Sequence, residues 1–226
     1  MEWQRFVDVF ANPDMMARYG PNILAGAWVT LQVSAAVIVT GIAGGLLLAW
    51  LRSYRWRLPN LAIVALVDIF RALPPLVVIL LVYFGLPNVG LTMSAFVVLW
   101  LVLSCILAAF AEEIFWAGLI AVPKGQWEAA RSTGLGFTQT FAFVVLPQAV
   151  RMTIPPLTNR TIAITKNTAL GTVIGVPELL NQATTAVSFL SNATPLTLAA
   201  IGYLIIFVPV VLFGGWLEAR FAYRKA

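Results

Sequence analysis

The sequence contains apolar stretches that are too long for the helices of a water-soluble core. The longest lies between Arg18 and Arg52 and contains no charged residue. Of the 226 residues, 61% are hydrophobic and 10% are charged, whereas a soluble domain carries roughly 25% charged residues. The solvent that faces these stretches must therefore be lipid, and the sequence predicts an all-α membrane protein.

Five stretches reach the length of about 20 apolar residues that a transmembrane helix needs. They cover approximately residues 23–51, 61–84, 92–120, 138–165 and 196–217. The predicted organisation is an external or interfacial segment at 1–22, a transmembrane domain at 23–220 and a tail at 221–226. Within the stretch 166–194, Pro177 and Glu178 indicate a short interfacial helix. In the first segment, aromatic residues at helical spacing fit either a helix along the membrane surface or a loosely docked tail.

The basic residues predict the orientation of the chain, because cytoplasmic loops are enriched in lysine and arginine. With the N-terminus outside, eight basic residues fall in cytoplasmic segments: Arg52, Arg55, Arg57, Lys124, Arg131, Arg220, Arg224 and Lys225. Three fall in external segments: Arg5, Arg18 and Lys166. This asymmetry predicts an N-out, C-in bundle, in agreement with an odd number of crossings.

The residue inventory excludes several kinds of chemistry. The chain has no histidine, and its one cysteine, Cys105, lies in an apolar run. Histidine-ligated metal sites, histidine acid–base catalysis and an internal disulfide are thereby excluded. The basic residues form no aromatic-interleaved stripe of the kind that binds nucleic acid, and no phosphate-binding loop for ATP is present. We predict no catalytic residue and no metal ligand.

The loop at 121–137 has the signals of a short helix. Pro123 or Gly125 begins this helix and Gly134 ends it. One helical face is predicted to carry Trp127, Ala130, Arg131 and Gly134. Ala129 and Ala130 form a smooth patch on which another protein can pack closely.

This loop resembles the "EAA" signature of ATP-binding-cassette (ABC) importer permeases. Glu128-Ala129-Ala130 is followed after three residues by Gly134, after nine more by Val144, and after one more by Leu146-Pro147. The resemblance covers roughly residues 20–220 and is strongest to the polar amino-acid uptake branch, whose members carry histidine, glutamine, glutamate, arginine or opines. The supporting stretches are Arg71-Ala72-Leu73-Pro74, Ala111-Glu112-Glu113-Ile114-Phe115, Val122-Pro123-Lys124-Gly125-Gln126-Trp127, Leu146-Pro147-Gln148-Ala149-Val150-Arg151, Pro155-Pro156-Leu157-Thr158-Asn159 and Lys166-Asn167-Thr168-Ala169-Leu170. The branch usually has an arginine where this chain has Trp116.

The resemblance implies the type I (MetI-like) permease fold in the bacterial inner membrane and a non-catalytic role in alternating access. It implies two cytosolic ATPases that bind ATP and Mg, a second permease that is identical or a sister chain, and an external solute-binding protein. This chain itself would hold no cofactor. The residues that contact the ATPase would be Trp127, Glu128, Ala129, Ala130, Arg131 and Gly134.

Charged groups at membrane depth are costly and mark candidate functional positions. Asp68 and Arg71 are three residues apart on one helical face and can pair, and Arg71 can also contact Glu112 or Glu113. The candidate substrate pathway comprises Arg71, Glu112, Glu113, Arg151, Asn159 and Lys166. The competing interpretation is a structural ion pair for Asp68 and Arg71, and an anchor of the helix at the membrane interface for Lys166.

The fourth span carries the adjacent prolines Pro155 and Pro156, which interrupt the hydrogen bonds of a helix. They predict a broken helix that lines the pathway, or a plain structural kink.

Two other functions stay open from the residues alone. One is an ion-coupled carrier or channel that works without an ATPase, with Arg71, Glu112 and Glu113 as a relay. The other is a membrane scaffold. The sequence does not choose which amino acid is carried, nor between a homodimer and a heterodimer of permeases.

Overall fold

The computed structural model describes residues 2–190 and 192–221, and in this part of the chain all regular structure is helical. The α-helices are α1 (Glu2–Phe10), α2 (Pro13–Ser53), α3 (Arg57–Ala72), α4 (Pro75–Gly85), α5 (Ala95–Ala121), α6 (Lys124–Ser132), α7 (Phe137–Thr140), α8 (Leu146–Lys166), α9 (Leu179–Leu190) and α10 (Thr194–Phe221). Tighter 3₁₀ helices cover Leu86–Val89 and Asn167–Ile174, and a π-helix covers Phe141–Val145. Apart from Phe221, the predicted tail at 221–226 lies outside the described residues.

The predicted membrane-spanning character is confirmed. In the described part of the chain, four helical segments are long and apolar enough to cross a membrane, or five if α3 and α4 together form one span. The first span begins earlier than predicted, because α2 already starts at Pro13, within the segment assigned to 1–22. The short helix predicted after Pro177 and Glu178 is α9.

The second predicted span, 61–84, is wrong as a single helix. It is interrupted at Leu73, whose φ of −85° and ψ of 136° are extended, and α4 begins after Pro74. A proline disfavours helical geometry in the residue before it and has no N–H to donate. Pro74 therefore ends α3.

The fourth predicted span is irregular at a different place than expected. Helix α8 continues through Pro155 and Pro156, so the predicted break is wrong. The two prolines only remove the hydrogen bonds that would reach the carbonyls of Arg151 and Met152. The irregularity instead precedes α8, where Phe141–Val145 forms the π-helix.

The described residues divide into two compact units. The first comprises residues 2–38, 74–103, 164–190 and 192–211, and the second comprises 39–73, 104–163 and 212–221.

The core of the first unit joins α2, α9 and α10. Its buried cluster contains Ile23, Leu179, Ala183 and Ala199. The buried hydroxyl of Thr30 accepts a hydrogen bond from the backbone N–H of Leu179 at 3.1 Å. The start of α9 is thereby fixed against α2.

Glu178, immediately before α9, is fully buried in the first unit. Its carboxylate accepts hydrogen bonds from the hydroxyls of Thr172 (2.5 Å) and Tyr203 (2.8 Å). It also accepts from the backbone N–H groups of Leu180 (2.9 Å) and Asn181 (2.7 Å). The side chain therefore caps α9 and ties it to α10 and to the 3₁₀ helix before it.

The core of the second unit packs α2, α5, α6 and α8 around one cluster of buried apolar residues. These are Ala49, Ala111, Phe115, Leu119, Val122, Phe141, Val145 and Ala149. Helix α2 approaches α5 so closely at Gly45 that a β-carbon placed there would lie 2.5 Å from the β-carbon of Ala111. Small residues such as glycine permit this close approach of membrane-spanning helices.

Candidate functional site: an exposed loop helix and a set of intramembrane ion pairs

Helix α6 has the boundaries that the sequence predicts. Pro123 precedes its first residue, and the backbone N–H of Gly134 returns to the carbonyl of Arg131 at 3.0 Å. Gly134 has a φ of +90°, a left-handed conformation that glycine adopts without a steric penalty. A residue with a β-carbon at this position would disturb how α6 ends.

One side of α6 is anchored to the second unit. The Trp127 ring stacks on Phe137 with centroids 5.5 Å apart, and Ala130 is only 7% exposed. Four of the six predicted ATPase-contacting residues remain exposed: Glu128, Ala129, Arg131 and Gly134. The predicted smooth patch is wrong for Ala130, because its methyl group faces the core. The surface open to a partner is formed by Glu128, Ala129 and Arg131.

Glu112 forms an ion pair that differs from the predicted one. Its carboxylate oxygens lie 2.9 Å and 3.2 Å from the Nη1 atom of Arg52. Glu112 is 0% exposed and Arg52 is 21% exposed. The Arg52 guanidinium also lies over the ring of Trp116, 4.5 Å from its centroid. Because a buried carboxylate is costly unless it is paired, this contact stabilises Glu112 inside the second unit.

Arg71 contacts Glu113, which is one of the two partners that the sequence predicts for it. Its Nη2 atom lies 2.5 Å from Glu113, which is 47% exposed, and its Nη1 atom lies 3.6 Å from Asp68. The Nε atom of Arg71 is buried and has no hydrogen-bond partner among the described residues. The guanidinium of Arg71 therefore lies beside two accessible carboxylates, those of Asp68 and Glu113.

A second guanidinium, that of Arg160, lies over the ring of Phe110 next to this group. Arg160 lies 3.9 Å from the ring centroid of Phe110, and Arg71 lies 5.5 Å from it. An aromatic face attracts such cations. Asp68, Arg71, Glu113 and Arg160 thus form a half-exposed polar group around one ring in the second unit.

The remaining predicted pathway residues are not part of this group. Arg151 and Asn159 are exposed on α8, and within the described ranges neither forms an ion pair with it. Lys166 is exposed at the end of α8 and belongs to the first unit.

Sequence reasoning missed three residues that the structure brings out. Arg52 was used only as a marker of topology, and Phe110 was passed over as one of many apolar residues. Glu178 was seen as part of a helix start. Its position between a proline and an apolar run is a signal for a helix cap, and that signal could have identified its role.

A family model matches residues 41–223 of this chain. Its description is "Binding-protein-dependent transport system inner membrane component". The chain belongs to this family. It is a multi-pass inner-membrane permease subunit of an ABC importer, as the resemblance of the loop at 121–137 predicts. The alternative of an ion-coupled carrier without an ATPase gains no support.

Two similar proteins are named as permeases for amino acids. The probable glutamine ABC transporter permease GlnP of Bacillus subtilis is 36% identical over 174 residues, which are 75% of this chain and 80% of the relative. The glutamate transport system permease GluC of Corynebacterium glutamicum is 36% identical over 225 residues, which are 93% of this chain and 99% of the relative.

Solved structures share the fold. A crystal structure of an amino acid ABC transporter with histidines has a TM-score of 0.81 at 29% identity and covers 91% of this chain and 97% of that one. An inward-facing MetNI methionine ABC transporter has a TM-score of 0.72 at 21% identity and covers 93% and 99%. The predicted type I permease fold is therefore confirmed.

Proposed function

We propose that this chain moves a polar amino acid, or an amino-acid-like opine, across the inner membrane by alternating access. The observation that carries the proposal is the accessible group of opposite charges around Phe110. A zwitterionic substrate presents an ammonium and a carboxylate. Glu113, 47% exposed, can accept from the ammonium, and the guanidinium of Arg71, whose side chain is 31% exposed, can bind the carboxylate.

Helix α6 is the proposed contact with the ATPase. Trp127 packs against the core of the second unit and Ala130 is buried, while Glu128, Ala129 and Arg131 are exposed. A movement of the ATPase against the exposed side of α6 would therefore be transmitted to the other helices of the second unit through packed side chains. Such coupling requires a contiguous physical contact between the two parts.

We propose that partner proteins supply the remaining functions of the importer. We assign ATP and Mg binding to two cytosolic ATPases, delivery of the substrate to an external binding protein, and completion of the path to a second permease, identical or sister. This chain then contributes no catalytic residue, no metal ligand and no cofactor of its own. We also assign Arg151, Asn159 and Lys166 to the substrate pathway, because each of these side chains is exposed.

The coupling role is tested in the full complex reconstituted with its ATPase and binding protein. We expect Glu128→Ala and Gly134→Val to abolish the stimulation of ATP hydrolysis by loaded binding protein and to reduce transport. Glu2→Ala, which removes an exposed carboxylate from α1, is the matched control and should transport normally. Normal stimulation and transport in both α6 variants would overturn the coupling role.

The substrate class is tested on the external partner. The ligand retained by the cognate binding protein, identified by mass spectrometry after denaturation, should be a polar amino acid or an opine. A sugar, a peptide or a metal ion in its place would refute the proposed substrate. In the reconstituted complex, Glu113→Gln should then slow transport of that ligand at saturating concentration, whereas Glu218→Gln should not.

A further inference from the structure

A cavity of ≈ 540 Å³ opens beside α6 in the second unit. It lies between the turn after α2, the end of α5 and the start of α6. Its lining residues are Ser53, Tyr54, Arg55, Trp116, Leu119, Ile120, Val122, Lys124, Trp127, Glu128 and Phe137. This volume falls in the range of small-molecule sites, about 300–1,000 Å³.

The lining combines an apolar wall with an excess of positive charge. Trp116, Leu119 and Ile120 supply part of the wall, and two cations, Arg55 and Lys124, face one carboxylate, Glu128. Within residues 2–190 and 192–221, neither Arg55 nor Lys124 forms an ion pair. Lys124 is also the first residue of α6, so the positive end of that helix adds to the potential. The chemistry suits an anion that carries an apolar tail.

The backbone at Arg55 is held in a strained conformation. Its φ is 57°, and no other non-glycine residue of the described ranges has a positive φ. The left-handed conformation costs an L-residue roughly 1–2 kcal/mol. The turn is maintained by neighbours, because Tyr54 stacks on Trp56 (5.2 Å) and contacts the tilted ring of Phe137 (5.1 Å). Strain that surrounding structure maintains is concentrated at ligand sites.

The position of the cavity at the ends of two helices indicates the occupant. It is bounded by the ends of two membrane-spanning helices, since α2 ends at Ser53 and α5 ends at Ala121. Helix ends with tryptophan, tyrosine, arginine and lysine lie at the membrane interface, where the anion with an apolar tail is a phospholipid.

We propose that this cavity binds an anionic phospholipid. Its phosphate lies between Arg55 and Lys124, and the upper part of an acyl chain packs on Trp116, Leu119 and Ile120. The bound lipid steadies α6, because Trp127 and Glu128 belong both to α6 and to the cavity lining. Coupling to the ATPase therefore depends on anionic lipid, and this consequence rests on the proposed function, whereas lipid binding does not.

Binding is measured by native mass spectrometry of the purified full complex titrated with phosphatidylglycerol in detergent. The double variant Arg55→Gln/Lys124→Gln should bind this lipid about tenfold more weakly. The control Arg57→Gln/Arg220→Gln, which loses the same charge from residues outside the lining, should retain it. Arg55→Lys/Lys124→Arg keeps both charges and should restore binding. Equal retention by the first double variant and the wild type would overturn the proposal.

Activity is measured in nanodiscs of phosphatidylcholine alone or mixed equally with phosphatidylglycerol. ATP hydrolysis with loaded binding protein should rise with phosphatidylglycerol in the wild type and in the Arg57/Arg220 control, but not in the Arg55/Lys124 glutamine variant. An equal loss of activity in both lipids, with lipid retention unchanged, would mean that the cavity contacts the ATPase and would refute a lipid site. A wild-type complex that loaded binding protein fails to stimulate in either lipid contradicts the proposed function instead, and the binding measurement stays valid.

Discussion

At the scale of single residues, the pair Arg52–Glu112 is a buried contact on which the stability of the second unit depends. Glu112 is 0% exposed, so Arg52→Met would leave a buried carboxylate without its counter-charge. We expect a loss of stability of about 3 kcal/mol, measured as a lower unfolding temperature in detergent. The double variant Arg52→Met/Glu112→Met should lose less than Arg52→Met alone, because it removes both charges.

The control for this prediction is Arg57→Met, an exposed arginine near the same turn, which should stay within about 0.5 kcal/mol of the wild type. Strictly additive effects of the two substitutions in the pair would show that Arg52 does not compensate Glu112.

A comparable prediction about stability concerns the buried Glu178 of the first unit. Tyr203→Phe removes one of the four hydrogen bonds that its buried carboxylate accepts. We expect a cost of about 2 kcal/mol, since a hydrogen bond to a buried charged group is lost without replacement. Tyr83→Phe is the matched control, because the described residues offer the Tyr83 hydroxyl no hydrogen bond, and it should be close to neutral. Equal unfolding temperatures for the two variants would show that this hydrogen bond does not contribute to stability.

At the scale of helices, the contact between α2 and α5 depends on a missing side chain. A β-carbon at Gly45 would lie 2.5 Å from the β-carbon of Ala111 and 2.8 Å from the carbonyl oxygen of Ala108. Gly45→Ala should therefore destabilise the protein by about 2 kcal/mol, despite the higher helix propensity of alanine. Gly215→Ala, in α10 with no atom within 4 Å of the added carbon, should be neutral or slightly stabilising. Melting temperatures in detergent provide the comparison.

Helix positions were predictable because apolar length and proline and glycine signals act locally. The boundaries of α6 follow from Pro123 and Gly134, and the interruption at Pro74 could have been predicted from the proline itself. The same rule was wrong for Pro155 and Pro156, where α8 continues. A proline inside a helix removes a backbone hydrogen bond in every context. Whether the helix then ends depends on how it packs against other helices, which the spacing of residues in the sequence does not reveal.

The partners of charged residues were predictable only in part. Spacing on one helix correctly paired Asp68 with Arg71. It could not decide which carboxylate of Glu112 and Glu113 faces Arg71, because adjacent residues of a helix point about 100° apart. The choice depends on how α5 is rotated against α2 and α3. That rotation is fixed by small residues such as Gly45.

At the scale of the whole molecule, the proposed coupling to the ATPase depends on the side of the membrane that α6 faces. The predicted N-out, C-in orientation rests on eight basic residues in segments assigned to the cytoplasm against three outside. Only a cytoplasmic α6 can meet an ATPase, and only an external α9 can lie near a binding protein. The orientation is therefore the prediction with the widest consequences.

Two serines give a matched test of this orientation in a Cys105→Ala background. Ser132 ends α6 and Ser188 lies in α9. Both are exposed, and each hydroxyl donates to the carbonyl four residues earlier. A membrane-impermeant maleimide should label Ser188→Cys in intact spheroplasts and Ser132→Cys only after permeabilisation, because positive charge holds the segment around α6 inside. The reverse pattern would place α6 outside and remove its role in coupling, whereas the helix packing described for each unit would stand.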